Sequence, residues 1–469
     1  MNKKLLLINP WIYDFTAFDL WSKPLGLLYI ASFLRKSGYE IHFVDCLENP
    51  PTGRQKNRKY GTGHYQREII EKPVNLSHVP RHFARYGMPE KDFIKKITSI
   101  PRPDAILVTS LMTYWYPGVQ RVTELCRELL PGVPVILGGI YASLMPDHAM
   151  KTIRPDYLIE GPGEIKLLEL LSDLFGTTVS QSDIPERLDE YPYPALDLIK
   201  NPEYLLVMTA RGCPYNCSFC AQKLISMQFT QRKPDSVVEE LKYHYGTYRI
   251  RDFAFYDDAL FIRKEKHIKV ILEKLIQSRI TLRLHSPNGL FANYIDPDLA
   301  ELMYLSGFKT IRLSFETSNE TRRKDMYSKV SNKGMIEAVA NLVKAGFKAS
   351  ELDAYVLMGL PDQSFEEVLA SIIFVHNLGV QVRLASFSPI PGTKEFEKAV
   401  DIGYIKPDVD PLLTNKTIFP LSDERITYEM YRKLRKFAQI LNQASQSGIA
   451  MFDHSELGSA VKSLVREMD

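Results

Sequence analysis

The sequence predicts an α/β protein with three parts: a doubly wound parallel sheet, then a partial (β/α)6 barrel, then a C-terminal helical extension. Three observations predict this. Short apolar runs alternate with helix-period stretches over residues 1–170 and again over 195–400, and such alternation builds parallel strands covered by helices. A proline-dense segment within 171–194, ending Tyr191-Pro192-Tyr193-Pro194, separates the two regions and reads as an extended linker. From 424 to 445, Ile426, Met430, Leu434, Phe437, Ile440 and Leu441 recur at three- and four-residue steps, so the extension, 401–469, is helical.

In the first region Leu5-Leu6-Leu7-Ile8 ends in Asn9-Pro10, as a buried parallel strand would. Pro24 opens a helix that carries Leu27, Ile30, Ala31 and Leu34 on one face and stops at Gly38. Residues 39–45, 105–109 and 133–137 read as further strands, with a helix over 118–130 between the last two. The ligand crevice of such a sheet lies beyond the carboxyl ends of its strands. Those ends carry Asp45, Ser110 to Thr113 and Gly138-Gly139. A glycine pair lets backbone approach a ligand closely, and Ser110 with Thr113 offers hydrogen bonds to a phosphate or amide-rich group. The aromatic run Tyr114-Trp115-Tyr116 has two readings, as lining of that crevice or as packing against a neighbouring domain.

Residues 46–103 interrupt the alternation, and connections of this length are uncommon unless functional or mobile. Within them Arg81 to Pro89 mixes cations with aromatics, as a lid over a substrate would. His64, His78 and His82 are read as surface or packing residues, and the basic run 54–59 as a solvated loop.

In the second region the strands fall at 204–209, 253–256, 281–285, 310–315, 354–358 and 382–386, with a helix over 236–245 after the first. Six strand–helix units make a partial barrel whose chemistry belongs at the carboxyl ends of its strands. Those ends carry a cysteine loop, then Asp257-Asp258, Ser314 and Glu316, Gly359-Leu360-Pro361, and Pro389 to Thr393.

The cysteine loop is the most specific feature of the chain. Cys213, Cys217 and Cys220 stand in C-x3-C-x2-C spacing beside Gly212 and Pro214. A structural zinc ion is closed by four ligands, whereas a cubane cluster takes one thiolate per iron, so three cysteines leave one iron open. A zinc site completed by a distant histidine, or a structural cluster with a fourth ligand elsewhere, are the alternatives. Cys46 and Cys126 stand alone in apolar stretches and read as core residues. Five cysteines without paired spacing argue against a disulfide framework and for a reducing compartment.

Composition excludes several classes. A net charge of +3, from 59 basic and 56 acidic residues, leaves no nucleic-acid footprint. The N-terminal apolar run is stopped by Pro10, and no stretch reaches the 18 apolar residues of a membrane span. The chain is therefore expected to be soluble and cytoplasmic.

The three cysteines, with Phe219 just before the last, resemble the loop of the radical S-adenosylmethionine (SAM) superfamily, and the order of polar strand ends over 195–400 resembles its barrel. Residues 1–165 resemble the cobalamin (B12)-binding domain that precedes the barrel in one class of these enzymes. The resemblance implies a Rossmann-like first domain and a TIM-type partial barrel. It implies a [4Fe-4S] cluster on Cys213, Cys217 and Cys220, SAM on its open iron, and SAM or substrate contacts from Phe219, Asp257, Asp258, Ser314, Glu316, Gly359 and Pro361. Ser110, Gly138 and Gly139 stand where that class lines the pocket for the nucleotide tail of cobalamin.

One departure stands out. The D-x-H-x-x-G loop that gives cobalt a histidine in many such domains should follow the first strand, and residues 9–23 contain no histidine. Cobalamin then binds without a protein histidine, or the domain is a scaffold that positions substrate. The implied activity is cleavage of SAM to a 5′-deoxyadenosyl radical, with cobalamin-dependent methyl transfer to an unactivated carbon. Cobalamin-independent cyclisation or rearrangement is the second reading, and a non-catalytic iron–sulfur sensing module the third. A transfer-RNA methylthiotransferase would need a second cysteine triad, which Cys46 and Cys126 cannot make. An external electron donor such as flavodoxin or ferredoxin is expected; the substrate and any catalytic acid or base are not legible.

Overall fold

The computed structural model describes residues 3–48, 59–178, 184–226, 228–327 and 329–446. Most of the basic run 54–59, the start of the proline-dense segment and the end of the C-terminal extension lie outside them. The chain divides into two compact units, Met1–Leu260 with Ile280–Leu282 and Ser388–Pro420, and Phe261–Arg279 with Arg283–Phe387 and Leu421–Asp469.

The first unit is built on five strands, β1 (Lys4–Asn9), β2 (Glu40–Asp45), β3 (Ala105–Val108), β4 (Val135–Leu137) and β5 (Tyr157–Leu158), in the order β5-β4-β3-β1-β2 with every pair parallel. Leu5 to Ile8 are fully buried because both faces of the sheet are covered. Successive side chains of a strand point to opposite faces, so Leu6 and Ile8 join one core with Val44, Ile106 and Val135, while Leu5 and Leu7 join another with Ala31, Leu34 and Ile136. Helix α1 (Leu25–Lys36) begins directly after Pro24 and ends before Gly38, whose φ of +88° takes the left-handed turn that glycine permits. Helices α2 (Tyr116–Leu129) and α3 (Glu164–Phe175) complete the covering layers. The two-residue strand β5 carries too little pattern to be read from the sequence.

Within the 46–103 insertion, the described residues include regular structure. Ala84–Tyr86 forms antiparallel ladders with Ile12–Asp14 and with Arg67–Ile69, and a helix spans Glu90–Ser99. Phe83, Tyr86 and Met88 are buried, and Arg85 pairs with Glu68 and with Glu90 at 3.0 Å. The stretch expected as a lid instead contains a buried strand; Tyr86 within it and Phe83 just before it enter two different core clusters. Cys46 and Cys126 are both fully buried in the same core, and burial pushes their thiols up, Cys126 to about 12.

The same unit holds the parallel pair β6 (Leu205–Val207) and β9 (Asp252–Phe255), and the antiparallel pair β7 (Ala210–Arg211) and β8 (Thr230–Gln231), with helix α4 (Pro234–Tyr248) leading into β9.

The second unit repeats strand and helix: α5 (Ile268–Gln277), β10 (Arg283–His285), β11 (Leu290–Phe291), α6 (Pro297–Leu305), β12 (Phe308–Glu316), α7 (Asn332–Ala345), β13 (Leu352–Met358), α8 (Phe365–Asn377) and β14 (Gln381–Ser386). Strand β12 runs parallel to β10, β11 and β13, and β13 runs parallel to β14. Helices α6, α7 and α8 start at side-chain caps: Asp296, Ser331 and Ser364 accept from the backbone N–H groups of Leu299, Gly334 and Glu367. Helix α9 (Tyr428–Gln446) buries Tyr431, Leu434, Phe437 and Leu441. Its Asn442 amide meets the backbone N–H and C=O of Val382 at 2.7 and 2.9 Å and so closes the free edge of β14. Among the described residues no helix is long and apolar enough to cross a membrane.

Candidate functional site

The cysteine loop leaves β7 through Gly212, which has φ +79° and whose missing Cβ would stand 2.5 Å from the Gln228 carbonyl oxygen. Only glycine fits there. Cys213 and Cys217 are buried, Cys220 is exposed and its N–H donates to the Cys217 carbonyl at 3.1 Å, and Phe219 is half-buried between them. The loop is pinned at both ends. Before the first cysteine, Arg211 forms an ion pair with Glu164 at 2.6 Å. Between the last two, the Ser218 hydroxyl donates to Glu395 Oε1 at 2.7 Å while the Glu395 N–H donates to the Ser218 carbonyl at 3.2 Å. Glu395 opens the helix Lys394–Asp401 just behind its cap, Thr393.

Among the described residues no three His, Cys, Asp or Glu side chains converge as ligands of one metal ion would. A mononuclear zinc ion draws every thiolate to about 2.3 Å from one point, whereas each corner of a cubane is served separately. Three thiolates on one short loop would serve three corners of a cubane and leave the fourth open, whereas a structural zinc ion needs a fourth ligand.

Beyond β9, Asp257 and Asp258 separate in role. Asp257 is buried and accepts from the Thr209 N–H and hydroxyl. Burial lifts its carboxyl to about 7, with the Thr209 hydrogen bonds pulling it down and the Asp258 charge adding to the rise. Asp258 is exposed and stands on the wall of a cavity.

That cavity, about 350 Å³ and lying within the first unit, opens at the carboxyl ends of β3, β4 and β5. Its wall includes Ser110, Gly138 and Gly139, and also the start of α1, the Gly161-Pro162-Gly163 turn, Glu164, Arg211 and Gly212. The wall is mostly apolar with a few polar groups, and the volume is that of a small-molecule site. Gly139, at φ +96°, lies so close to Ser110 that a Cβ would come within 2.3 Å of its carbonyl oxygen, whereas a Cβ on Gly138 would meet nothing nearer than 3.7 Å. The buried Ser110 hydroxyl donates to the Gly138 carbonyl at 2.7 Å, joining the loops after β3 and β4. Among the described lining residues none is a histidine. The aromatic run divides differently: Tyr114 and Tyr116 are buried, Tyr116 in the core behind the sheet, and the Trp115 indole donates to Asp14 at 2.7 Å.

In the second unit Ser314 and Glu316 end β12. Glu316 is buried with φ +66°, at a register shift against β13. A left-handed non-glycine residue costs of order 1 kcal/mol or more and clusters at ligand sites. Gly289 lies directly against Ser314, since a Cβ there would stand 2.1 Å from its hydroxyl. Gly359, at φ +89°, begins the Gly-Leu-Pro turn, and the buried Gln363 accepts from the N–H groups of Gly359 and Leu360 at 2.8 and 3.2 Å. Arg322 reaches the Pro361 carbonyl at 3.4 Å and pairs with Asp362 and Glu367.

Sequence reading missed Glu164, Arg211 as a partner, the turn before Glu164, and Gln363. The Gly-Pro-Gly turn was visible, but the two-residue strand that precedes it was not.

Comparison with known proteins agrees with this arrangement. The family model described as Radical SAM superfamily matches residues 207–374, and that described as B12 binding domain matches residues 79–171. The chain thus carries a radical SAM domain behind a B12-binding domain, and it is an enzyme of the radical SAM kind, working with a [4Fe-4S] cluster, SAM, a reductant and a substrate. An uncharacterized methyltransferase of Pyrococcus horikoshii is 25% identical over 66% of this chain and 72% of its own length. The cytidylyl-2-hydroxyethylphosphonate methyltransferase of Streptomyces wedmorensis is 22% identical over 87% of this chain and 83% of its own. The radical SAM methyltransferase TsrM from Kitasatospora setae, solved with cobalamin and a [4Fe-4S] cluster bound, shares the fold with a TM-score of 0.64 at 16% identity, over 86% of this chain and 78% of that one.

Proposed function

We propose that the chain is a cobalamin-dependent radical SAM methyltransferase acting on an unactivated carbon. The observation that carries this reading is the shared wall of the cavity, where loops from the sheet's carboxyl ends meet Arg211 and Gly212 at the base of the cysteine loop. The relatives described above, methyltransferases in name, favour methyl transfer over cyclisation.

Cys213, Cys217 and Cys220 would hold the cluster, and the cavity beside Ser110, Gly138 and Gly139 would hold cobalamin without a histidine. When bound, the cluster supplies the electron that cleaves SAM to methionine and a 5′-deoxyadenosyl radical, and cobalamin supplies the methyl carrier. The protein's own residues bind and orient. Phe219 stands beside the last cysteine at the edge of the cluster site, Asp258 offers a carboxylate to an amine or to substrate, and Glu316 beside Ser314 accepts from ribose hydroxyls. The Gly359 to Pro361 turn, held by Gln363 and Arg322, gives a rigid edge for adenine. Asp257 shapes the turn through Thr209. Domains at 1–170, 195–400 and 401–469 carry cobalamin binding, radical chemistry and support. Flavodoxin or ferredoxin supplies the electron, in the cytoplasm, where free thiols persist.

The test is anaerobic reconstitution of the full chain, followed by gel filtration with hydroxocobalamin and assay of 5′-deoxyadenosine from SAM. Stoichiometric retention together with SAM cleavage is expected. Cleavage without retention would make this a cobalamin-independent radical enzyme, and neither would overturn the reading altogether.

A further inference from the structure

Glu164 is the first residue of α3, directly after the Gly161-Pro162-Gly163 turn at the carboxyl end of β5, and both turn and Glu164 line the cavity. A negative charge in the first turn of a helix meets the positive end of the helix dipole. Its partner Arg211, 2.6 Å away, lies two residues before Cys213 and lines the same cavity. Two rings as well as the carboxylate hold the guanidinium: Arg211 Cζ stands 5.4 Å from the Tyr29 ring centroid and 5.1 Å from that of Tyr191. Both charged side chains are mostly buried, 18% and 7% exposed, so the pair is screened little by water and its breakage would strand a buried charge. Arg211 is followed directly by Gly212, which sits against Gln228 at a distance that admits no side chain. One pair thus joins the start of α3 to the end of β7, from which the cysteine loop leaves.

We propose that Glu164 and Arg211 are positioning residues that couple occupancy of the cavity by cobalamin to the arrangement of the cysteine loop. The inference rests on the cofactor assignment made under Proposed function. Coupling between two sites is reciprocal: if the assembled cluster sets Arg211, and Arg211 sets Glu164 and its turn, then cobalamin binds the cluster-loaded chain more tightly than the iron-stripped chain. A guanidinium with several N–H donors can bond Glu164 while it lies against two rings, which the single ammonium of lysine does less well.

The experiment is equilibrium dialysis of hydroxocobalamin against the full chain in both forms. The wild-type affinity ratio is expected to be about fivefold or more, the usual lower range of such couplings. Glu164→Gln, of the same shape, should keep iron, sulfide and a measurable affinity in each form while the ratio falls to within about twofold of unity. Arg211→Lys should lower the ratio and Glu164→Asp should restore part of it. A merely structural pair would weaken binding in both forms equally and leave the ratio intact, which would overturn the proposal. Should Glu164→Gln fail to fold, the charge-exchanged double variant E164R/R211E decides: recovery of the ratio supports coupling and its absence overturns it. Equal wild-type affinity in both forms removes the coupling but leaves the cobalamin site standing. No wild-type binding in either form removes the cobalamin site itself.

Discussion

Thr209 presents its backbone N–H, at 3.1 Å, and its hydroxyl, at 2.6 Å, to the carboxylate of Asp257, a buried acid whose neighbour Asp258 faces the cavity. Two adjacent carboxylates are thereby placed differently, one holding the turn and one on the cavity wall.

The Asp257 pair fixes a pH dependence. Its folded-state pKa, about 7, lies above the ordinary 3.8, so the folded chain holds this proton where the unfolded chain has lost it. The contribution to stability is complete below pH 4 and is lost as pH rises through 7. Urea unfolding of cluster-free protein should show wild type losing of order 3 kcal/mol more than Asp257→Asn between pH 5 and pH 8. Parallel curves for the two proteins would show that the carboxyl is not so shifted.

Replacing any one of Cys213, Cys217 or Cys220 by alanine should abolish cluster assembly, seen as loss of iron, sulfide and brown colour with the far-ultraviolet spectrum unchanged. Cys46→Ala and Cys126→Ala should do the opposite, keeping full iron while costing about 1 kcal/mol each from the cavities left in the core.

Glu316 separates binding from stability. Glu316→Ala should weaken SAM binding about tenfold or more with iron content intact. Glu316→Gly should lose the same affinity yet raise the unfolding midpoint, because glycine relieves the left-handed backbone. Unchanged SAM affinity in both, measured by dialysis, would show that the ribose contact belongs elsewhere.

The two cavity glycines should behave differently. Gly139→Ala forces a Cβ into the Ser110 backbone and should destabilise the chain by about 2 kcal/mol or more. Gly138→Ala has room and should fold normally, so that any loss of hydroxocobalamin retention in it reports the binding surface alone.

How far these features were legible depends on their range along the chain. Leu5 to Ile8 announced a two-sided sheet because four consecutive apolar residues can be buried only when both faces are covered. The cysteine loop was legible because its spacing is local. Tyr157–Leu158 was not, being two residues long, and neither were Ala84–Tyr86 and Arg67–Ile69, whose charged residues Arg85 and Glu68 satisfy each other across the ladder. Glu164 with Arg211, and Ser218 with Glu395, join residues far apart in sequence, and no periodicity marks them. Gln363 was within reach in principle, four residues beyond Gly359, but only the folded turn shows which N–H groups need an acceptor.

The anchors at Arg211 and Ser218 are made of protein alone. In small zinc domains the metal is the fold, and a chelator unravels the chain. Here the loop is fastened to Glu164 on one side and Glu395 on the other before any iron arrives. Loss of the cluster to oxygen should then be a local injury that leaves the rest of the chain folded, and fresh iron and sulfide should restore it without passage through a denaturant.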